Sequence, residues 1–401
     1  MRPTVNILVV GAGLQGAAAV HFLLREPRVG RLWVADVRGE ALAALQAREP
    51  SPALRVLQAD AGRAAEAFAP AWEDDLAAVV ALVPPEQRAA VAEAAVARGV
   101  HYVDASYPMP ALRALADQAA ARGVALLPEM GLDPGLDLLL SQHLLRGLER
   151  VRVWRVFGAG VPEPQAATPP LRYKISWTFA GVLAAYRRPA RVVRAGRPVS
   201  VPPEALFAPE HCFRYVMPAL GEMEAYPNGD VTRYLDALGL TGQVCEAGRF
   251  SLRWPGHCAL WRAWSQLGFL DDRPLMVDGA AIAPRRFLQA LLEPQLQYAA
   301  HERDIALVRV EVEGDAQGQA VRRAAHLIDY RDLETGLLAM QRTVGFTAAA
   351  AAVLLATGEI TGRGLLSPLQ DVPPGPVLRA LAPYGLQPQW EGVPPPDARG
   401  G

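Results

Sequence analysis

Lysine is almost missing from this chain. Of its 40 Lys and Arg residues only Lys174 is lysine, and only Asn6 and Asn228 are asparagine. In a chain drifting toward Arg, Ala, Pro and Leu, a surviving Lys or Asn is a candidate for a role, set against chance and a local turn preference. An excess of one charge sign is missing too. The formal net charge is −1, which leaves no basic footprint for nucleic acid or another polyanion. No run of about 18 uninterrupted apolar residues exists, and the best stretch, around Thr347–Thr357, is too short to span a bilayer. Cysteine is scarce: Cys212, Cys245 and Cys258 lack metal-site or redox spacing, so no metal is expected, and reduced thiols in a cytoplasm are. The N-terminus runs straight into an apolar strand and a glycine cluster, so no signal peptide is expected. What remains is the make-up of a globular protein, 51% hydrophobic and 20% charged, and 401 residues predict two domains.

Val5–Val10 reads as a buried parallel strand, Leu14–Leu24 as a helix and Arg31–Ala35 as a second strand. Arg55–Gln58, Ala77–Val83, His101–Val103 and Val124–Leu127 are further strands. Ala-rich helical runs, notably Pro85–Arg98 and Pro110–Arg122, separate them. This alternation predicts an α/β fold, a doubly wound parallel sheet of the Rossmann kind. After Gly135 the rhythm changes. Arg152–Phe157, Arg172–Ile175 and Arg249–Leu252 read as strands of a mixed sheet, followed by a helix at Pro284–Leu292 and a strand pair, Ile305–Glu313 and Ala320–Asp329. The chain is helical again from Thr335 to Leu355, and Pro373–Gly401 is expected to be a surface tail with one short helix. The expected domains are 1–134, an inserted α+β domain at 135–334, and helices at 335–401 returning to the first.

Gly11-Ala12-Gly13-Leu14-Gln15-Gly16 follows the first strand and opens the first helix, and the second strand ends in Asp36. That context makes GxGxxG a dinucleotide fingerprint. Gly11 permits the tight turn, Gly13 lets the backbone approach a pyrophosphate, Gly16 allows close helix–strand packing, and the helix N-terminus faces the phosphates. Asp36 stands where a carboxylate accepts from the adenosine ribose hydroxyls. It opposes the extra phosphate of NADP, so NAD is expected, with NADP possible because Arg38 lies two residues on. Val37 completes that edge. Asp60 and Ala61 match the neighbourhood of the adenine ring, and Leu82, Val83 and Pro84 that of the nicotinamide-side ribose.

Four more segments carry chemistry. Val103-Asp104-Ala105-Ser106-Tyr107 ends the fifth strand, where ligands of open parallel sheets collect. Glu129 through Asp137 crowds three carboxylates around a Pro–Gly turn. Tyr173-Lys174-Ile175-Ser176-Trp177 holds the one lysine, and Tyr226 to Asp230 holds Asn228. Asp133-Pro134 also reads as a helix cap and Asn228-Gly229 as a turn. Together with Glu302-Arg303-Asp304, Arg342 to Gly345 and Gly364 to Pro368, these segments resemble the saccharopine dehydrogenase family in order along nearly the whole chain. The glutamate-forming type is the most similar. The chain departs from that type at Ala180, where saccharopine-cleaving members carry an arginine for a substrate carboxylate. Its inserted domain also looks shorter, as in bacterial lysine 6-dehydrogenases.

The resemblance implies NAD(P)-dependent oxidation of a carbon–nitrogen bond in an amino-acid-derived amine, and a homodimer. Such chemistry needs a base, because a protonated amine cannot release hydride. Asp104 and Lys174 are the candidates, Lys174 only where burial or a cationic neighbour depresses its pKa. Glu129 and Asp133 are candidates to hold the substrate ammonium, and Ser106, Tyr107, Ser176, Trp177, Tyr226 and Asn228 to line the site. Arg172 and Arg342 are candidates to replace the missing arginine. Alternative substrates are lysine and carboxynorspermidine-type polyamines. An alternative of another class is a catalytically silent nucleotide-sensing or scaffold protein.

Overall fold

The apolar run Val5–Val10 (β1) lies in the interior of a sheet with its last four residues buried, because a strand of this composition must be covered on both faces. It pairs in parallel with β2 (Val29–Asp36) and β4 (Leu76–Ala81). With β3 (Leu54–Gln58), β5 (His101–Asp104), β6 (Ala125–Leu127) and a two-residue strand at Gly364–Leu365, they form a parallel sheet ordered β3-β2-β1-β4-β5-β6 and then Gly364–Leu365. The order reverses between β1 and β4, the topological switch where such sheets bind ligands. Helix α1 (Leu14–Leu23) leaves β1 at the glycine cluster, and α2 (Pro85–Arg98) leaves β4 behind Pro84.

The computed structural model describes residues 4–396 and divides into two compact units. One joins residues up to His143 with Gln341–Gln387. The other joins Leu144–Met340 with Pro388–Pro394. The breaks expected at 134 and 334 therefore fall at 143 and 340.

The second unit is built on a nine-stranded mixed sheet. Its spine is β7 (Arg150–Pro162), flanked by β12 (Glu246–Arg253) in parallel and β15 (Asp304–Ala316) antiparallel. Along the sheet, β10 (Phe213–Met217) and β11 (Gly221–Pro227) precede β12, and β16 (Gln319–Tyr330) follows β15. A small antiparallel pair, β8 (Ala190–Arg194) and β9 (Arg197–Val201), joins through β8 to β12. Helices α3 (Phe179–Ala185), α4 (His257–Gln266) and α5 (Pro284–Leu292) enclose an aromatic core of Tyr173, Phe179, Tyr186, Phe207, Tyr226 and Trp261.

Three expectations change. Arg172–Ile175 is irregular, not a strand: the Arg172 N–H is taken by Thr168 O at 2.9 Å, and the two prolines upstream offer no donors to a ladder. Helix α6 (Ala339–Ala356) is long and apolar enough to cross a membrane by length and composition, yet most of it is buried in protein, as in a core helix. Its Gly345 meets α1 so closely that a Cβ would stand 2.4 Å from Gln15 O. The Pro-rich end is no free tail within the described residues. Pro374–Leu381 is a largely buried helix, and Gln389–Glu391 pairs antiparallel with β16. Residues 397–401 of that tail lie outside the described ones.

Candidate active site

Gly11, Gly13 and Gly16 are glycine for different reasons. A Cβ on Gly11 would come within 2.5 Å of Leu82 O, and one on Gly16 within 1.7 Å of Gly11 O. Only Arg38 Nη2, at 4.0 Å, neighbours the corresponding point on Gly13. The middle glycine thus leaves its outer side open at the helix end, which fits the cradle of a pyrophosphate. Gly13 caps α1 without a side-chain bond, and no acidic residue stands in the first turn, which holds Leu14, Gln15 and Gly16. Their N–H groups and the helix dipole suit an anion. Opposite, the Leu82 N–H bonds Val10 O at 2.8 Å, placing Leu82, Val83 and Pro84 beside the turn.

Asp36 ends β2 next to this turn. Its Oδ2 accepts from Ala12 N–H at 2.7 Å and its Oδ1 from Arg38 N–H at 2.8 Å. The Arg38 guanidinium lies on the same carboxylate at 3.1 and 3.2 Å while remaining half exposed. Burial pushes the Asp36 carboxyl up, but the bonds from Arg38 and Ala12 outweigh it and hold it below its ordinary value. Val37 is exposed, and its carbonyl accepts from Gln58. Asp60 accepts from Gly62 N–H at 2.8 Å and so shapes the next turn, with Ala61 buried beneath. The cofactor-side residues therefore gather at the carboxyl ends of β1 to β4.

Asp104 is brought to the end of β5 but has no exposed surface. Tyr102 donates its hydroxyl at 2.8 Å, the Ser106 N–H donates at 2.7 Å, and Arg88 Nη1 lies 3.4 Å away. Burial pushes its carboxyl up to about 6, against the pull of Arg88, the Ser106 amide and Tyr102. A group so enclosed organises the loop rather than meeting a substrate. That removes it as the base expected from sequence. Its backbone carbonyl accepts from Met130 N–H and that of Ser106 from Glu129 N–H, so Ser106, Tyr107 and Glu129 converge above β5. Glu129 is buried with φ +63, a conformation kept only where surroundings demand it. Asp133 is half-buried in a turn whose Gly135, at φ +145, has no room for a Cβ. In the first turn of the helix that follows (Leu136–Leu145), Asp137 reaches back and accepts from Gly135 N–H at 2.7 Å.

In the second unit, the expected lining residues Tyr173, Ser176 and Tyr226 are buried. Between Tyr173 and Tyr226 stands a residue that sequence reasoning missed, Arg253. Its guanidinium lies 5.5 Å from the Tyr173 ring and 5.9 Å from the Tyr226 ring. It donates to Leu252 O at 2.8 Å, Nε has no partner, and Tyr186 is its hydrogen-bonding neighbour beyond that. Among the described residues no carboxylate pairs with it. The Ser176 hydroxyl and the Tyr298 hydroxyl are likewise buried and unpartnered. His257, stacked on Tyr226 and bonded to the Tyr186 hydroxyl at 3.1 Å, is held neutral, because burial and then Arg253 push its pKa far down. A buried cation with no counter-charge, ringed by hydroxyls, can receive a carboxylate. The missed signal was the alternation Arg249, Ser251, Arg253, a polar stripe interleaved with the core residues Phe250 and Leu252.

Lys174 faces elsewhere. Its Nζ holds both oxygens of Glu302 at 2.6 Å and lies 5.8 Å from the Tyr298 ring. An ion pair of this kind fixes a cation and does not prepare a proton acceptor, so the expected role as base is not what the geometry supports. Trp177 packs where a Cβ on Gly181 would be 2.6 Å away. Asn228 is half-buried in the turn after β11, its N–H bonded to Arg249 O at 2.8 Å. Arg172 is half-buried at φ +48. Arg342 belongs to the first unit, where it donates to Tyr384 O at 2.6 Å and covers the Phe346 ring.

Two family profiles match this chain. The saccharopine dehydrogenase NADP binding domain matches residues 7–127 and the saccharopine dehydrogenase C-terminal domain residues 131–386. The chain belongs to the saccharopine dehydrogenase family. Among relatives, the alpha-aminoadipic semialdehyde synthase of Arabidopsis thaliana is 27% identical over 77% of this chain and 36% of its own length. The NADP(+), L-glutamate-forming saccharopine dehydrogenase of Saccharomyces cerevisiae is 26% identical over 77% of this chain and 82% of its own. The chain spans about a third to a half of the synthases it matches. The solved apo structure of the L-Glu-forming saccharopine dehydrogenase from S. cerevisiae superposes with a TM-score of 0.83. It is 24% identical and covers 97% of this chain and all of its own. That likeness extends the family's fold to both units.

Proposed function

We propose that this protein is a nicotinamide-dinucleotide oxidoreductase that opens a carbon–nitrogen bond of an amino-acid-derived amine, saccharopine or a close secondary-amine relative. The observation that carries the reading is Arg253, a buried guanidinium without a carboxylate partner beside Tyr173, Tyr186 and Tyr226. It supplies the substrate-carboxylate cation that Ala180 does not. The bound dinucleotide would accept a hydride from the carbon bearing nitrogen, after which water cleaves the iminium to an aldehyde and an amine. The chain's own residues bind and orient. The α1 N-terminus and Gly13 hold the pyrophosphate. Asp104 fixes Ser106, Tyr107 and Glu129 in place, and the carboxylates of Glu129 and Asp133 attract the substrate's ammonium.

For the cofactor, the family profile and the yeast relative carry NADP in their names. Asp36 supports NAD, because a carboxylate at the end of β2 is suited to ribose hydroxyls and opposes a 2′-phosphate, and Arg38 is engaged with that carboxylate. A second reading, oxidation of lysine itself, is favoured by Ala180, which leaves one cation fewer for the carboxylates of a substrate such as saccharopine. A panel assay decides among these: reduced dinucleotide formed from NAD and NADP with saccharopine, lysine and polyamine conjugates. Turnover of saccharopine is expected. Turnover of lysine alone supports the second reading, and tight dinucleotide binding with no turnover supports a sensing protein.

A further inference from the structure

Only three cysteines occur in 401 residues, and two of them meet. Cys212 and Cys258 are 46 positions apart, so their spacing carries no redox signal. Strand β11 brings them together. Phe213 pairs with Ala225 where β10 joins β11, which sets Cys212 at that corner of the sheet. One residue back along β11, Glu224 accepts the N–H of Gly256 at 2.9 Å and that of Cys258 at 2.8 Å, fastening the first turn of α4 to the same corner. Both cysteine side chains pack in the aromatic core of the second unit, and their thiols are hydrogen-bonding neighbours. Cys245, the third cysteine, is exposed just before β12.

The two thiols are not equivalent. Cys258 is buried, and its hydrogen bond with Cys212 together with that burial pushes its thiol up. Cys212 is half-buried, with its sulfur 3.8 Å from Leu206 O. The hydrogen bond from Cys258, helped by Arg262, holds the Cys212 thiol below its ordinary value against burial and nearby carboxylates. A thiolate with access to solvent is the form that attacks an oxidant. Cys212 combines the two, and Cys258 keeps its proton within reach of it. That is the division between an attacking and a resolving thiol.

We propose that Cys212 and Cys258 form a modification site, closed to a disulfide by a hydroperoxide and reopened by a dithiol. The Cys212 thiolate attacks one peroxide oxygen and breaks the O–O bond, leaving a sulfenic acid, while the departing oxygen takes a proton. The Cys258 sulfur then displaces the sulfenic hydroxyl, which leaves as water with the Cys258 proton. Two thiols lose two electrons and two protons in all, and hydrogen peroxide becomes two waters. A dithiol reverses the step by exchange and is itself oxidised to a disulfide. Because a bond replaces a contact, the first turn of α4 must draw toward Cys212. His257 adjoins Cys258, bonds the Tyr186 hydroxyl at 3.1 Å and stacks on Tyr226, and both tyrosines neighbour Arg253. Closure therefore disturbs the chamber and weakens substrate binding, a consequence that rests on the reading of Arg253 as the carboxylate's cation.

Cleavage after arginine leaves the three cysteines on separate peptides, 195–214, 234–249 and 254–262. Mass spectrometry of the full chain treated with hydrogen peroxide therefore reads the bond directly. The expected product joins the first peptide to the third, lighter by two hydrogens, with Cys245 unlinked, and dithiothreitol splits it. Cys212→Ser and, separately, Cys258→Ala should abolish it. Linkage through Cys245, or oxidation of Cys212 to sulfinic acid without linkage, would overturn the proposal. In the saccharopine assay, the oxidised protein is expected to show a KM roughly two- to tenfold higher, the worth of one hydrogen bond. Dithiothreitol should restore it, and Cys212→Ser should not show the change. An unchanged KM in the linked protein would overturn the effect on the chamber. If the reduced protein turns over no saccharopine, the substrate reading fails and takes that effect with it, while the linked peptide still decides the modification site.

Discussion

Arg253 is the side chain proposed to receive a substrate carboxylate, and its surroundings let a binding role be tested apart from a structural one. Burying a guanidinium without a carboxylate is unfavourable, so Arg253→Met should not unfold the protein and should raise or leave unchanged its melting temperature. Substrate binding should suffer instead. Loss of a charge-assisted contact, on the order of 1.5–3 kcal/mol, predicts a KM roughly ten- to hundredfold higher, with dinucleotide affinity unchanged. A variant with normal KM would remove Arg253 from the site. Lys174 is expected to behave in the opposite way. Lys174→Met strands the Glu302 carboxylate, whose low pKa reflects burial outweighed by that lysine, and should lower the melting temperature. Glu302→Gln on top of it should restore most of the loss. Turnover that collapses in the double variant while stability returns would give Lys174 a direct catalytic role.

At the scale of the element, the glycine turn and α1 make a paired prediction, because two glycines of one motif have different neighbours. Gly13 has φ −72, and a Cβ there touches nothing closer than 4.0 Å, so Gly13→Ala should fold with near-normal stability and bind dinucleotide weakly. Gly16→Ala drives a methyl into Gly11 O and should destabilise the unit itself. Thermal melts with and without cofactor distinguish the two. Equal loss of stability in both would mean that Gly13 serves packing and not the pyrophosphate. The cofactor test belongs to the same element pair. NAD is expected to bind more tightly than NADP, and Asp36→Ala should narrow or reverse that preference by freeing Arg38. Fluorescence titration with both dinucleotides measures it.

The whole molecule carries a pH signature from carboxylates buried where their charge is poorly compensated. Asp104 is pushed from 3.8 to about 6 by burial. In the folded state it therefore holds its proton more tightly than in the unfolded chain. Stability from this group is greatest at low pH and is lost as pH rises from about 4 through about 6, after which the buried charge opposes folding by a constant amount. Against Asp104→Asn, the wild type should lose relative melting temperature across that window and run parallel above it. A difference that is flat with pH would place the carboxyl in contact with water.

Much of the first unit was legible because its signals are local. Gly11, Gly13, Gly16 and Asp36 occupy positions set by one strand, one turn and one helix, and the apolar runs of β1, β4 and β5 admit no exposed face. Chain neighbours alone therefore determined the parallel sheet and the fingerprint. The site in the second unit was not local. Arg253 and His257 lie far along the chain from Tyr173 and Tyr186, and only packing brings them together. Lys174 and Asp104 looked reactive as residue types, but each is held by a partner, Glu302 and Arg88, 128 and 16 positions away. A residue's type and its spacing to near neighbours are properties of the chain. Whether a charge is paired, buried or left to meet a ligand depends on contacts between distant segments, and those exist only once the chain has folded.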